Sequence, residues 1–130
     1  MIEIYHGVDI VEISKLGRIM KKNSAFIEET FTEAERTYCL SHRNHVVHLA
    51  GRFAAKEACL KALGTGLSAG GRDAMRQIEV LNHASGRPEI ALKGWIGRVV
   101  RSRKIVSTSV SISHSGDYAV ASVVMLGNAG

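Results

Sequence analysis

The chain has 130 residues with 45% hydrophobic and 22% charged side chains, the balance of a globular protein with one core rather than a disordered or fibrous chain. It contains no apolar run of about 18 residues, which excludes a membrane-spanning helix. The net charge of +5 points to an acidic partner such as a polyphosphate, a nucleic acid or an acidic protein.

IEIYHGVDIVEI opens the chain as a strand, with acids ahead of any lysine, so it reads as a structural element and not as a secretory signal. From Ile13 to Met20 the period becomes helical. Ile13, Leu16 and Met20 share one side, and Lys15, Arg18, Lys21 and Lys22 the other. No acid interrupts that basic face, which suits the docking of an acidic protein. Thr32 and Glu35 in FTEAE are spaced as a capping box at the start of a further helix.

The next helix is expected from about His48 to Leu63, with Gly64 as its stop. LSAGGRDAMR follows as a glycine-rich loop. IEVL and PEIAL read as short strands joined through a turn from Asn82 to Gly86. GWIGRVVRSRK has a helical pattern interrupted by Gly97. STSVSISH alternates as a strand, and DYAVASVVM reads as a buried strand after the Ser115–Gly116 turn. Strands and helices mix without strict βαβ alternation. The expected fold is therefore α+β in one domain over 1–130, a small antiparallel sheet packed against a long central helix.

Three places carry possible chemistry. In GRFAAKEACLKALGTG, Glu57 and Lys61 have the spacing of an ion pair on a wet helix face. Yet Ala50, Ala54 and Ala58 share that face, and small residues around a carboxylate leave room for a large group to approach. Asp9 lies between Val8 and Ile10, where it could cap a turn or pair with a metal or cation. Asp9 with Glu57 would supply two hard oxygen ligands, a set that suits Mg²⁺ and leaves positions for water and phosphates. His114 ends the alternating strand in phase with Val110 and Ile112, as a core histidine or, beside Ser113 and Ser115, as a phosphate donor. His42, His45 and His48 lack the spacing of a helical zinc site and read as solvated or capping groups. Cys39 and Cys59 match no metal or redox spacing, and a reducing cytoplasm is the expected location. Few aromatic residues and no basic–aromatic interleaving count against nucleic acid.

Taken in order, GVDIVEI, FTEAE, GRFAAKEAxxKALGTG and SISHS before YAVA resemble the small phosphopantetheinyl transferases from about residue 5 to about residue 125. The resemblance implies transfer of 4′-phosphopantetheine from coenzyme A to a serine of apo acyl carrier protein, with Mg²⁺ as cofactor and adenosine 3′,5′-bisphosphate as product. It implies Asp9 and Glu57 as metal ligands, with Glu57 and Lys61 as the catalytic residues. Coenzyme A contacts fall on Lys61, Gly64, Thr65, Gly66, His114 and Ser115, and carrier docking on Lys15, Arg18, Lys21 and Lys22. It implies a homotrimer with sites between subunits, and no membrane or nucleic-acid partner. The chain departs from the family in a longer glycine-rich loop after Gly66. It also has Arg76-Gln77 before Ile78, where relatives often carry an acid. The rival readings are a polyanion-binding module and a carrier-binding domain without turnover.

Overall fold

In the computed structural model, residues 1–64 and 73–128 are described. Strand β1 (Ile2–Glu12) runs directly into helix α1 (Ile13–Lys22), followed by α2 (Phe26–Thr30), α3 (Glu33–Leu40) and the long α4 (His45–Leu63). One turn of 3-10 helix (Met75–Gln77) leads into the hairpin β2 (Ile78–Asn82) and β3 (Pro88–Leu92). Helix α5 (Gly94–Ser102) and the strands β4 (Ile105–Ser115) and β5 (Tyr118–Asn128) complete the chain.

Strands β1, β5 and β4 form a three-stranded antiparallel sheet with β5 in the middle, and β2 pairs with β3 in a second sheet. Helix α4 lies across β1 and β5; its Ala54, Ala58 and Leu63 are buried with Val123 and Met125 of β5, and its Leu49 with Ala119. The expected α+β arrangement of an antiparallel sheet around a long helix is the one observed. Helix α4 begins at His45, earlier than the periodicity indicates, because Asn44 opens it without a side-chain cap that would mark the start. It ends at Gly64, which takes the left-handed conformation (φ 69°).

β1 is continuous through Gly7, and the glycine has a steric reason. A Cβ there would lie 2.0 Å from the Ala58 carbonyl oxygen and 2.6 Å from the Ala62 nitrogen. Only glycine lets α4 cross the strand at this distance. Alternation then divides the strand: Tyr5, Gly7, Asp9 and Val11 turn toward α4, while Ile2, Ile4, His6, Val8 and Ile10 turn away. On that outer face Ile2, Ile4, Val8 and Ile10 are exposed beside Val120 and Leu126 of β5, and β4 adds Ser107, Ser109, Ser111 and Ser113.

The capping box forms as expected. Thr32 Oγ1 accepts from the Glu35 amide, and Glu35 Oε1 accepts from the Thr32 amide at 2.9 Å. Glu35 does more than cap. Its Oε1 also lies 2.7 Å from Lys56 Nζ, and its Oε2 accepts from the Val80 amide at 2.9 Å. Lys56 Nζ donates further to the carbonyls of Met75 and Ile78, at 2.7 Å and 2.6 Å. Burial pushes the Lys56 pKa down, opposed by the Glu35 charge. This fully paired ion pair ties α3, α4 and β2 into one body. Cys39 and Cys59 are buried thiols; burial pushes the Cys59 pKa up to about 12, which leaves it inert.

Candidate functional site

The Gly7 crossing carries Asp9 onto the flank of α4, where Glu57 and Lys61 stand one turn apart. Lys61 Nζ reaches Asp9 Oδ1 at 2.7 Å and the Val8 carbonyl at 3.3 Å. Lys61 therefore pairs across elements, and among the described residues no ion pair joins it to Glu57. Burial, followed by the Asp9 charge, pushes the Glu57 pKa up, and Lys61 partly offsets this. The hydrogen bond to Asp9, followed by its charge, pushes the Lys61 pKa up. Two carboxylates that feel each other's charge, with one cation bonded to Asp9, form an electrostatically loaded corner.

The corner opens into a cavity of about 490 Å³ whose wall includes Asp9, Glu12, Lys15, Phe53, Glu57 and Tyr118. It is thus bounded on one side by α1, whose Lys15, Arg18, Lys21 and Lys22 are all exposed. Among the described residues no three His, Cys, Asp or Glu side chains are grouped as a closed metal site. A pair of carboxylates beside open space is the donor set of a hard cation that keeps waters and phosphates as its other ligands, and Asp9 with Glu57 fits Mg²⁺ on those grounds.

His114 and Ser115 do not line this cavity. They end β4, exposed, with His114 opposite Ala119. The His114 charge is felt instead by His48 on the first turns of α4. His114 is not the core group that its phase with Val110 suggests, since it is exposed although Ala119 across the rung is buried. Gly64 closes α4, and Thr65 and Gly66 lie outside the described residues.

A second cationic corner escapes the sequence. His42 stacks on Tyr38 and His48 at ring distances of 4.5 Å and 4.3 Å, and His42 Nδ1 lies 2.7 Å from the Tyr38 carbonyl. Arg52 packs 4.2 Å above the Tyr38 ring and bonds to Asn82, and its buried Nε has no hydrogen-bond partner among the described residues. Burial, then the charges of His42 and Arg52, lower the His48 pKa. His42 and His48 are thus packed ring to ring instead of solvated or capping, and only His45 is exposed. The spacing from His48 to Arg52 is the signal that could have found this group, since i and i+4 share a helix face.

The family model of the 4′-phosphopantetheinyl transferase superfamily matches residues 6–123, and the chain belongs to that family. Within it, the chain is 43% identical over 123 residues to a holo-acyl-carrier-protein synthase of Syntrophotalea carbinolica, covering 94% of each chain. It is 41% identical to the synthase of the same name from Protochlamydia amoebophila, covering 91% of this chain and 93% of that one. The structure is similar to the ACPS–CoA complex of Chronobacterium ammoniagenes (TM-score 0.84, 32% identity, 97% and 98% covered). It is also similar to holo-acyl-carrier-protein synthase from Neisseria meningitidis (TM-score 0.84, 34% identity, 93% and 96% covered).

Proposed function

We propose that the protein transfers 4′-phosphopantetheine from coenzyme A to the serine of apo acyl carrier protein. The products are holo carrier and adenosine 3′,5′-bisphosphate, and the reaction depends on Mg²⁺. The observation that carries this reading is that Asp9, paired with Lys61, and Glu57 line a cavity that is also walled by the basic helix α1. Phosphate chemistry and a docking surface for an acidic protein thereby adjoin each other.

Asp9 and Glu57 would hold Mg²⁺, which when bound neutralises charge on the pyrophosphate. Lys61 supplies positive charge at the same oxygens. Its side chain is 56% exposed, so its head can swing to a phosphate, while Asp9, 17% exposed, would keep the cation as its partner. The carrier serine attacks the β-phosphorus in line with the leaving bisphosphate, and positioning supplies most of the rate. The exposed cations Lys15, Arg18, Lys21 and Lys22 draw the carrier's acidic surface to α1 and set the serine toward the cavity.

Gly64, Thr65, Gly66, His114 and Ser115 are assigned to coenzyme A. The buried Arg52, whose Nε has no hydrogen-bond partner among the described residues, beside His48 and the nearby charge of His114, offers a seat for a further phosphate of that substrate. The uncovered row of Ile2, Ile4, Val8, Ile10, Val120 and Leu126 supports self-association, read as a homotrimer, because exposed apolar patches of more than a few hundred Å² mark interaction surfaces. A cytoplasmic location completes the reading.

The test is an intact-mass measurement of apo carrier incubated with the protein, coenzyme A and Mg²⁺. A gain of one phosphopantetheine group, lost with EDTA, is expected. An unchanged mass with several apo carriers would overturn the reading.

A further inference from the structure

Helix α1 presents four cations to the carrier, yet its own sequence supplies no cap for its first turn. Among the described residues its N-cap, Glu12, makes no side-chain hydrogen bond to that turn, and the turn holds no acid. The first amides of a helix have no partner within it, so an end without its own cap takes one from elsewhere. Here the cap comes from the other end of the chain. Asp117, in the turn between β4 and β5, accepts from the Ile13 amide through its carbonyl oxygen at 2.7 Å. Its Oδ1 accepts from the Ser14 amide at 3.0 Å, and its Oδ2 accepts from the Ser14 hydroxyl at 2.5 Å. All three oxygens of one turn residue are thus turned to the start of α1.

The strand register explains how Asp117 reaches so far along the sequence. Glu12 pairs with Tyr118, which sets the β4–β5 turn beside the point where β1 becomes α1. Gly116 takes φ 58°, the conformation with which a glycine opens a two-residue hairpin turn. Lys15 and Tyr118, the neighbours of Ser14 and Asp117, both wall the cavity that holds Asp9 and Glu57. His114 and Ser115, assigned above to coenzyme A, end the other arm of the same hairpin. One residue therefore ties the docking helix to the hairpin tip.

Resting on the phosphopantetheinyl-transfer reading, the geometry points to Asp117 as the positioning residue that sets α1 for the carrier. Buried Ile13 and Leu16 fix how deeply the helix sits, and the Asp117 bonds fix its first turn, from which Lys15 and Arg18 project. Asp117 acts through the helix and not on a substrate. Its charge and its anchoring role have opposite consequences. As a bare exposed acid beside the basic face it repels an acidic carrier, so its removal would tighten docking. As an anchor, its removal frees the first turn and weakens docking. The sign of the change separates the two.

Steady-state rates of wild type, Asp117→Ala, Asp117→Asn, Ser14→Ala and the double variant Ser14→Ala with Asp117→Ala, using coenzyme A, Mg²⁺ and apo carrier, test the assignment. In Asp117→Ala the KM for carrier should rise about fivefold to tenfold, the scale of a lost helix cap, and the KM for coenzyme A should stay within about twofold. Asparagine also accepts from the first amides of a helix, so Asp117→Asn should hold the KM for carrier at or below wild type. Ser14→Ala keeps its amide bond and should show a smaller rise. The double variant should be no worse than Asp117→Ala, because both changes remove one linkage. Exchange of the Ser14 amide should quicken about tenfold in Asp117→Ala and stay slow in Asp117→Asn.

A KM for carrier that is unchanged or lower in Asp117→Ala overturns the assignment, even if that variant melts earlier, because Asp117 is then a stability residue only. An asparagine variant as poor as the alanine one, or additive losses in the double variant, overturns it too. A wild type that never modifies the carrier is a different result. It removes the transfer reading and the docking role with it, while Ser14 exchange still reports the anchor.

Discussion

Lys61 on α4 hydrogen-bonds Asp9 on β1 at 2.7 Å, while Glu57, one turn earlier on the same helix, carries a carboxyl whose pKa is pushed up by burial and by that same Asp9. The lysine thus occupies an oxygen that a divalent cation would want. In the proposed reaction it is both a competitor of the metal and a contributor to the rate. Lys61→Met should therefore separate the two effects. The transfer rate should fall by about 10²–10³, as for loss of one electrostatic stabiliser. Mg²⁺ affinity measured by titration calorimetry should stay level or tighten. Weaker Mg²⁺ binding in the variant would show that Lys61 supports the metal instead of competing with it.

The raised pKa of Glu57 has a consequence for stability, with a definite sign. Its ionisation costs the native state more than the unfolded chain, so stability present below the ordinary carboxylate value of about 4.3 is lost as pH rises through the folded value. In EDTA at pH 8, Glu57→Gln should melt above wild type, and the difference should close near pH 4. Mg²⁺ should raise the wild-type melting point and leave the variant unmoved. Equal melting curves across this range would contradict the strained carboxyl.

At the Gly7 crossing, a methyl group would meet the Ala58 carbonyl oxygen at 2.0 Å. Both neighbours are backbone, so neither can rotate away. Gly7→Ala should cost about 1–3 kcal/mol or more, a fall in Tm on the order of 10 °C. It should also lower activity per folded molecule, since pushing β1 off α4 separates Asp9 from Glu57. Unchanged melting would mean that strand and helix part freely.

Lys56 and Glu35 are both fully buried and saturated with partners. Removing one charge strands the other, so Lys56→Met alone should cost about 3–5 kcal/mol in urea unfolding. Lys56→Met with Glu35→Gln should cost clearly less than the sum of the two single changes. Additive costs would mean that the ions contribute separately, as helix cap and backbone clamp.

Charge reversal on α1 tests the docking face. Arg18→Glu with Lys22→Glu should raise the KM for carrier at least tenfold and leave the KM for coenzyme A within about twofold. Added salt should shrink the wild-type advantage, because these exposed charges are screened. Parallel rises in both KM values would place the basic face at the nucleotide instead.

Much of this site is legible in the sequence because its residues violate local expectation. Asp9 stands in a strand where acids are scarce, and Glu57 and Lys61 stand in a bed of alanine. Gly64 and the Thr32–Glu35 box mark helix ends through backbone rules that hold regardless of tertiary context. What periodicity cannot supply is partnership between elements. Glu57 and Lys61 have the spacing of a pair, yet the lysine turns to Asp9, because the Gly7 crossing brings β1 closer than the neighbouring turn. Lys56 looks like one more helix-surface cation, and only the double use of Glu35 as cap and counter-ion shows why it can be buried. The ring stack of Tyr38, His42 and His48 under Arg52 depends on how α3 folds back on α4, which no single stretch of residues encodes. The helix α2, five residues long, lies below the length at which a period can be read.

The division of β1 into two faces also limits how this strand can change. Odd-numbered positions from Tyr5 to Val11 look toward α4, and even-numbered ones from Ile2 to Ile10 look outward. Deleting or inserting a single residue between Ile2 and Gly7 would leave Gly7 and Asp9 in place and exchange the two faces of everything before them. The same change between Gly7 and Asp9 would turn the carboxylate out among the isoleucines and an aliphatic side chain in toward Lys61. The first error spoils the outer surface and spares the corner; the second spoils both. Length variation in this strand should therefore be tolerated before Ile2 and rejected after it, and a frame of eleven residues becomes the least editable part of the protein.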